Sequence, residues 1–428
     1  MYTNIKVLKV FNFMDDDSLK IWHPFWQHGL NEPIFEIKET KDEFLITKDG
    51  NKIIDGISSW WVNTLGHNNP YIVQAVKSEL ELMQQIIFAG FVHKPAIDTA
   101  KKLKKFLPDK FSRIFFSDSG SICVEVALKM AVGYYFNKFN KIKSKIVAME
   151  HSYHGDTFGG MSSGAESVFN LPYKKMLFEV LRIPYPKEGY EEITIKAYEN
   201  ILKKEADNIG AIVLEPLVLG SGGMMFYKPF VLDELYNLSK KYDVMFILDE
   251  VMTGFGRTGT MFAFEQSNIT PDIICLSKGL TGGTLPVAAT VCTEEIYSAY
   301  LDKDKSKMFF HSSSYTANPV CMAAASANLD LWKDKKPLDD VKRINDYYKT
   351  KLDKFKNARI LGDIFAFEID GNQNSYTASV GSKMYEYFLK NNVLLRPLGN
   401  TVYVMPPYCI KNESLNKIFN LLENMPAF

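Results

Sequence analysis

Between residues 113 and 292 the chain alternates two patterns of apolar and polar positions. Apolar runs of strand length recur at 146–149, 209–214, 244–248 and 273–276, and 113–116, opened by Arg113, also reads as a strand. Strands buried on both faces read as continuous apolar runs, not as alternation. Between these runs lie segments with helical spacing. After Ser121, Val124, Val126, Ala127, Leu128, Met130 and Ala131 mark a helix, and further helices are expected near 195–207 and 231–242. Upstream, Ile72, Val76, Leu80 and Met83 predict a helix over 71–85. Strand–helix alternation of this kind predicts an α/β fold with a doubly wound, mostly parallel sheet flanked by helices. Outside this region the pattern changes. Residues 35–37 and 44–47 read as short strands, with a turn signal at 48–51. Helices are expected at 320–331 and 337–356, and strands at 364–369, 393–397 and 402–405. The expected organisation is an N-terminal part of a small domain at 1–65, a large domain at 66–331 and a C-terminal part of the small domain at 332–428.

In open α/β sheets ligands gather at the carboxyl ends of the strands. The 244–248 run ends on Asp249-Glu250, and the 273–276 run ends at Ser277-Lys278. Asp249 and Lys278 are therefore expected to face one crevice. A lysine for a Schiff base and an acid beside a pyridinium nitrogen suit pyridoxal 5'-phosphate, because an opposite charge keeps that nitrogen protonated. Taken alone, the pair also fits a strand-end ion pair, or a solvated lysine before a glycine turn. Residues 117–121 place hydroxyls and Gly120 at a strand-to-helix turn, which suits a phosphate as well as simple capping by Ser119. Trp60 and Trp61 read either as an aromatic wall for a ligand or as one core and one partly exposed ring. Arg396 reads as a carboxylate clamp or as a surface arginine. For His154 the plain reading is a loop histidine bonded to the backbone.

Composition narrows the classes. The 428 residues carry 50 basic and 50 acidic side chains, for zero net charge. No basic stripe suggests nucleic acid and no polybasic anchor suggests a membrane. The first 30 residues lack the order of a signal peptide, and no run reaches the roughly 18 apolar residues of a span. The five cysteines are scattered and odd in number, which fits free thiols in a reducing cytoplasm. His151 and His154 have no acidic or Cys partner placed to complete a zinc set, so no metal site is expected.

The stretch Asp249-Glu250-Val251, Gly254-Phe255-Gly256-Arg257-Thr258-Gly259, Asp272 and Ser277-Lys278-Gly279 resembles the signature of class III pyridoxal phosphate-dependent aminotransferases. That resemblance implies fold type I of such enzymes. It implies that Lys278 is the Schiff-base lysine and general base, and that Asp249 is the pyridinium partner. It places Val251 and Tyr153 against the cofactor ring, Gly120 and Ser121 at its phosphate, and Arg257 as the signature arginine. It also implies a homodimer with shared sites. There the 309–319 loop, otherwise a plain turn, would bring Ser313 and Ser314 to the partner's phosphate. Ser314 stands where the family usually has threonine, and Ser312-Ser313 stand for a more usual Gly-Pro.

Further matches are Trp22-His23-Pro24, residues 55–61, 117–121, 153–157 and 281–284, Arg396-Pro397, and residues 403–408. These resemble the branch of the family that aminates 8-amino-7-oxononanoate with S-adenosylmethionine in biotin synthesis. Residues 219–223 also lack the acidic residue that the ornithine and 4-aminobutyrate branches carry there. Phe25, Trp60, Trp61, Tyr153, Asp156, Lys278, Ser312 and Arg396 are the implied substrate contacts. Phe25 replaces a usual tyrosine, which bears on recognition of the donor. Lysine or an ω-amine as donor, an aminomutase, and a non-catalytic pyridoxal phosphate-binding protein are the alternative readings.

Overall fold

The computed structural model describes residues 13–14, 20–30, 32, 34–334, 336–369 and 379–426. Most of the first nineteen residues, expected in the small domain, lie outside the described residues. After a short antiparallel pair of Phe13–Met14 with Ile34–Phe35 comes an antiparallel meander of β1 (Ile37–Lys41), β2 (Phe44–Thr47) and β3 (Lys52–Asp55). The expected turn joins β2 to β3, with Gly50 in the left-handed region at φ +84°. The first long helix, α1 (Pro70–Leu82), starts with Asn69 accepting from the Tyr71 amide and with Pro70 where no amide partner is needed.

Beyond a second helix, Lys94–Lys104, the elements that build the main sheet and its flanks include β4 (Phe111–Ser117), α2 (Gly120–Phe139), β5 (Lys145–Met149), β6 (Val180–Ile183), α3 (Glu191–Glu205) and β7 (Ile209–Leu214). They are followed by α4 (Pro229–Lys241), β8 (Met245–Asp249), β9 (Ile273–Leu276) and β10 (Ala288–Thr293). The seven strands form one sheet in the order β4-β10-β9-β8-β7-β5-β6. Strands β7, β8 and β9 are buried along their whole length, as their unbroken apolar runs require. The sheet is parallel except at β10, which pairs antiparallel with both neighbours. The 277–287 connection is too short for a helical crossover, so the chain folds back beside β9.

Further described elements towards the C-terminus include α5 (Pro319–Leu331), α6 (Lys336–Lys349), β11 (Arg359–Leu361), β12 (Ile364–Glu368), α7 (Ser379–Lys390), β13 (Val393–Leu394), β14 (Thr401–Val404) and α8 (Asn412–Glu423). Strand β13 pairs in parallel with β3, so the two ends of the chain complete a single sheet. Three expectations were too long, and the first, the helix over 71–85, ends at Leu82. The helix over 337–356 ends at Lys349 and gives way to a 3-10 turn, and the strand over 393–397 stops at Leu394, two residues before Arg396. None of the described helices is long and apolar enough to cross a membrane.

Candidate active site

A cavity of about 410 Å³ opens at the carboxyl ends of β5, β7, β8 and β9. Strand β8 delivers Asp249 to it. Two residues past β9, Lys278 follows with its backbone in the left-handed region (φ 44°). The expectation that the two share one crevice is met. Lys278 is half-buried, and its Nζ lies 4.8 Å from the centre of the Trp61 ring. Burial pulls its ammonium down to about 8; Asp249 and Glu215 oppose that fall and Arg257 adds to it.

Asp249 is buried and engaged by its surroundings. Its Oδ1 accepts from the Val251 amide at 3.1 Å, and its Oδ2 lies 2.7 Å from His154 Nδ1. The plain reading of His154 as a loop histidine bonded to the backbone is thus corrected. Its side chain reaches a carboxylate 95 positions away, because the loop after β5 folds across the end of β8. Its Nε2 is buried without a hydrogen-bond partner among the described residues. The sequence offered no signal for this pairing beyond the position of His154 after a strand.

The N-terminus of α2 closes one end of the cavity. Ser119 caps it by accepting from the Ile122 amide at 3.4 Å, and Gly120 and Ser121 line the wall. Capping and an exposed helix end therefore coexist, and the positive helix end suits an anion. A Cβ at Gly120 would lie 2.7 Å from Val251 Cγ1. Gly155, at φ +105°, packs so tightly on Ser121 that a Cβ there would strike the hydroxyl.

The opposite end is aromatic. Residues Ser58, Ser59 and Trp61 take left-handed φ values of 52°, 59° and 64°, a conformation that costs on the order of 1–3 kcal/mol per residue. Asp55 holds this turn by accepting from the Ile57 amide (3.2 Å) and Ser59 Oγ (3.0 Å), while Ser58 Oγ donates to the Met405 carbonyl at 2.9 Å. Trp61 is buried and donates to the Tyr403 hydroxyl at 2.9 Å, whereas Trp60 is 44% exposed. One ring is core and one is partly exposed, and both line the cavity. Trp60 lies between the Phe25 ring (5.6 Å) and the Arg396 guanidinium (5.4 Å), and Arg396 Nη2 donates to the Phe25 carbonyl at 2.7 Å. Tyr153 and Asp156 stand on the same wall, joined by a 2.9 Å bond from the tyrosine hydroxyl to Asp156 Oδ2.

Of the expected site residues, Phe25, Trp60, Trp61, Gly120, Ser121, Tyr153, Asp156, Asp249, Val251, Lys278 and Arg396 line this cavity. Ser312, Ser313 and Ser314 do not line it within their own chain. Ser313 Oγ donates to Asp118 Oδ2 at 2.7 Å, and Gln85 donates to the Ser314 carbonyl at 2.6 Å. Arg257 is not a wall residue either. It is fully buried against Asp363 and donates to the Pro406 carbonyl at 3.1 Å. Sequence reading missed Glu215, whose only signal was its place after an apolar run and before a proline. It is buried, lines the cavity and is pushed up to about 7 by burial.

These residues fit pyridoxal 5'-phosphate: a lysine held near neutrality, a carboxylate beside it, a helix end cleared of side chain at Gly120, and aromatic walls.

The family model described as Aminotransferase class-III matches residues 26–425. The adenosylmethionine-8-amino-7-oxononanoate aminotransferase of Synechococcus elongatus is 40% identical over 95% of this chain and 98% of its own length. The crystal structure of the like-named protein from Methanocaldococcus jannaschii superposes with a TM-score of 0.90 at 31% identity, covering 95% of this chain and 97% of that one. An amine transaminase from an uncultivated Pseudomonas species, solved in its pyridoxal phosphate-bound form, gives 0.87 at 25% identity, covering 94% and 97%.

Proposed function

Because the chain belongs to the class III aminotransferases, we propose that it transfers an amino group from S-adenosylmethionine to 8-amino-7-oxononanoate, forming 7,8-diaminononanoate for biotin synthesis. It is a transaminase, and its cofactor is pyridoxal 5'-phosphate. One observation carries the substrate reading. The cavity that holds Lys278 and Asp249 also holds a guanidinium set among aromatic rings, as a carboxylate-bearing aliphatic substrate requires.

Bound there, pyridoxal phosphate supplies an electron sink for the substrate carbon that bears the amine. The chain supplies the rest. Gly120, Ser121 and the α2 amides would hold the phosphate, and Asp249 would keep the ring nitrogen protonated. His154 fixes the orientation of Asp249. Val251 and Tyr153, both lining the cavity, would hold the ring. Lys278 anchors the cofactor. Its free amine would take a proton from the substrate carbon and deliver it within the site. Trp60, Trp61 and Phe25 exclude water, and Arg396 with Asp156 orients the acceptor.

The same reading makes the enzyme a cytoplasmic homodimer. Ile87, Phe91, Val92, Phe310 and Tyr315 are exposed. They lie in the segments on either side of the Gln85–Ser314 bond, so an apolar face surrounds the loop that carries Ser312, Ser313 and Ser314. Nitrogen-15 tracing tests the substrates. Label supplied on S-adenosylmethionine should appear in 7,8-diaminononanoate. Label arriving from lysine alone would keep the acceptor and replace the donor.

A further inference from the structure

Glu215 stands at the junction of three strand ends. Leu214 pairs with Leu248 across β7 and β8, so Glu215 lies beside Asp249 one position further on. On the other side, Val213 pairs with Ala148 of β5, whose following loop carries Tyr153. Both carboxylate oxygens of Glu215 are used. Oε1 accepts from the Tyr153 amide at 2.9 Å, and Oε2 accepts from the Gly220 amide at 3.0 Å. The Glu215 carbonyl accepts from the Tyr227 hydroxyl at 2.6 Å. The two amides belong to different loops, and both loops wall the cavity, through Tyr153 and through Ser221.

We propose that Glu215 is a positioning residue of the transamination site: it ties the Tyr153 loop to the 217–224 turn and presents a second negative charge to Lys278. The inference rests on the reading of Lys278 as the cofactor lysine. A carboxylate suits the position where an amide would not. Two N–H groups point at it, and a glutamine would set its own N–H against one of them. A neutral residue would also leave Asp249 as the one carboxylate opposing the burial of the Lys278 ammonium. The charged groups that act on Lys278 are Asp249 from the end of β8, Glu215 from the end of β7 and Arg257 from the glycine turn. Those acting on Glu215 are His154 and Asp249. Glu215 gains its charge at about 7, just below the range in which Lys278 loses its proton.

The test uses the full chain loaded with pyridoxal phosphate and reads its visible absorbance against pH, together with amide hydrogen exchange at Tyr153 and Gly220. In Glu215→Gln the spectral midpoint should fall by about one unit, the scale of shift a neighbouring charge produces. Exchange at both amides should quicken. Glu215→Asp keeps the charge one methylene short, so its midpoint should stay near the parent value while exchange still quickens. This second variant separates charge from clamping and serves if the glutamine variant folds poorly. An unchanged midpoint in Glu215→Gln, or equal shifts in both variants, overturns the proposal. Lys278→Ala separates the two levels. If the pH-dependent band survives that change, the lysine reading fails and the proposal falls with it. If the band is lost there but unmoved in Glu215→Gln, the Glu215 proposal alone is wrong.

Discussion

The proposed role of Lys278 asks for a nucleophile and base near neutrality, and its surroundings suit that role. A solvated lysine is almost wholly protonated at neutral pH, whereas burial here brings the ammonium down to about 8 from 10.5. The sign is definite. Below that value the charged form dominates and the reactive amine falls about tenfold per pH unit. The apo protein should therefore capture pyridoxal phosphate at a rate that climbs with pH through about 8 and then levels off. Stopped-flow absorbance measures it. A rate still climbing beyond pH 10.5 would mean the amine is solvated. At the same scale, His154 marks what residue-by-residue reading misses. Its partner, Asp249, is 95 positions distant, and nothing local to the 151–157 loop encodes that contact.

At the scale of elements, the site is made by strand ends and one helix end. The N-terminus of α2 approaches the cavity because Gly120 has no side chain to meet Val251, which sits 2.7 Å from where a Cβ would be. Gly120→Ala should weaken pyridoxal phosphate binding about tenfold or more, roughly 1.4 kcal/mol, while leaving unfolding by urea nearly unchanged. Equilibrium loading followed by absorbance reads the first quantity. This architecture was largely legible in the chain. The runs ending at Leu214, Leu248 and Leu276 are continuous because both faces of the sheet are covered, and they fixed Asp249 and Lys278 at one edge. The reversal of β10 was not legible, since an apolar run has no direction and only the length of the 277–287 connection sets it. The edge strand β6 was missed because its Val-Leu-Arg-Ile run is short, half-buried and interrupted by Arg182. Arg182 instead donates to the carbonyls of Ser162, Ser163 and Gly164.

At the scale of the molecule, Arg257, the signature arginine, joins two parts of the fold. It carries no cavity wall. Its ion pair with Asp363 joins the glycine turn after β8 to the β11–β12 hairpin, and the Asp363 amide donates back to the Arg257 carbonyl at 3.1 Å. Both side chains are fully buried. Removing one partner leaves an unpaired buried charge, so Asp363→Ala should destabilise the protein by about 3–5 kcal/mol, measured by urea unfolding. A loss below about 1 kcal/mol would mean that the pair contributes no more than an exposed one. The termini close the small sheet through β3 and β13, and that sheet brings Trp60, Trp61 and Arg396 to the large sheet's edge. The cavity therefore combines Asp249 and Lys278 from the central strands with an aromatic and cationic wall from the small sheet. The measurement that tests this most directly is a pair of half-reactions. The pyridoxal phosphate-loaded protein is mixed with S-adenosylmethionine, and then with 8-amino-7-oxononanoate, while its visible band is followed. The account predicts loss of the band with the first and its return with the second. A band that fails to return with 8-amino-7-oxononanoate, whichever amine removed it, would contradict the substrate assignment.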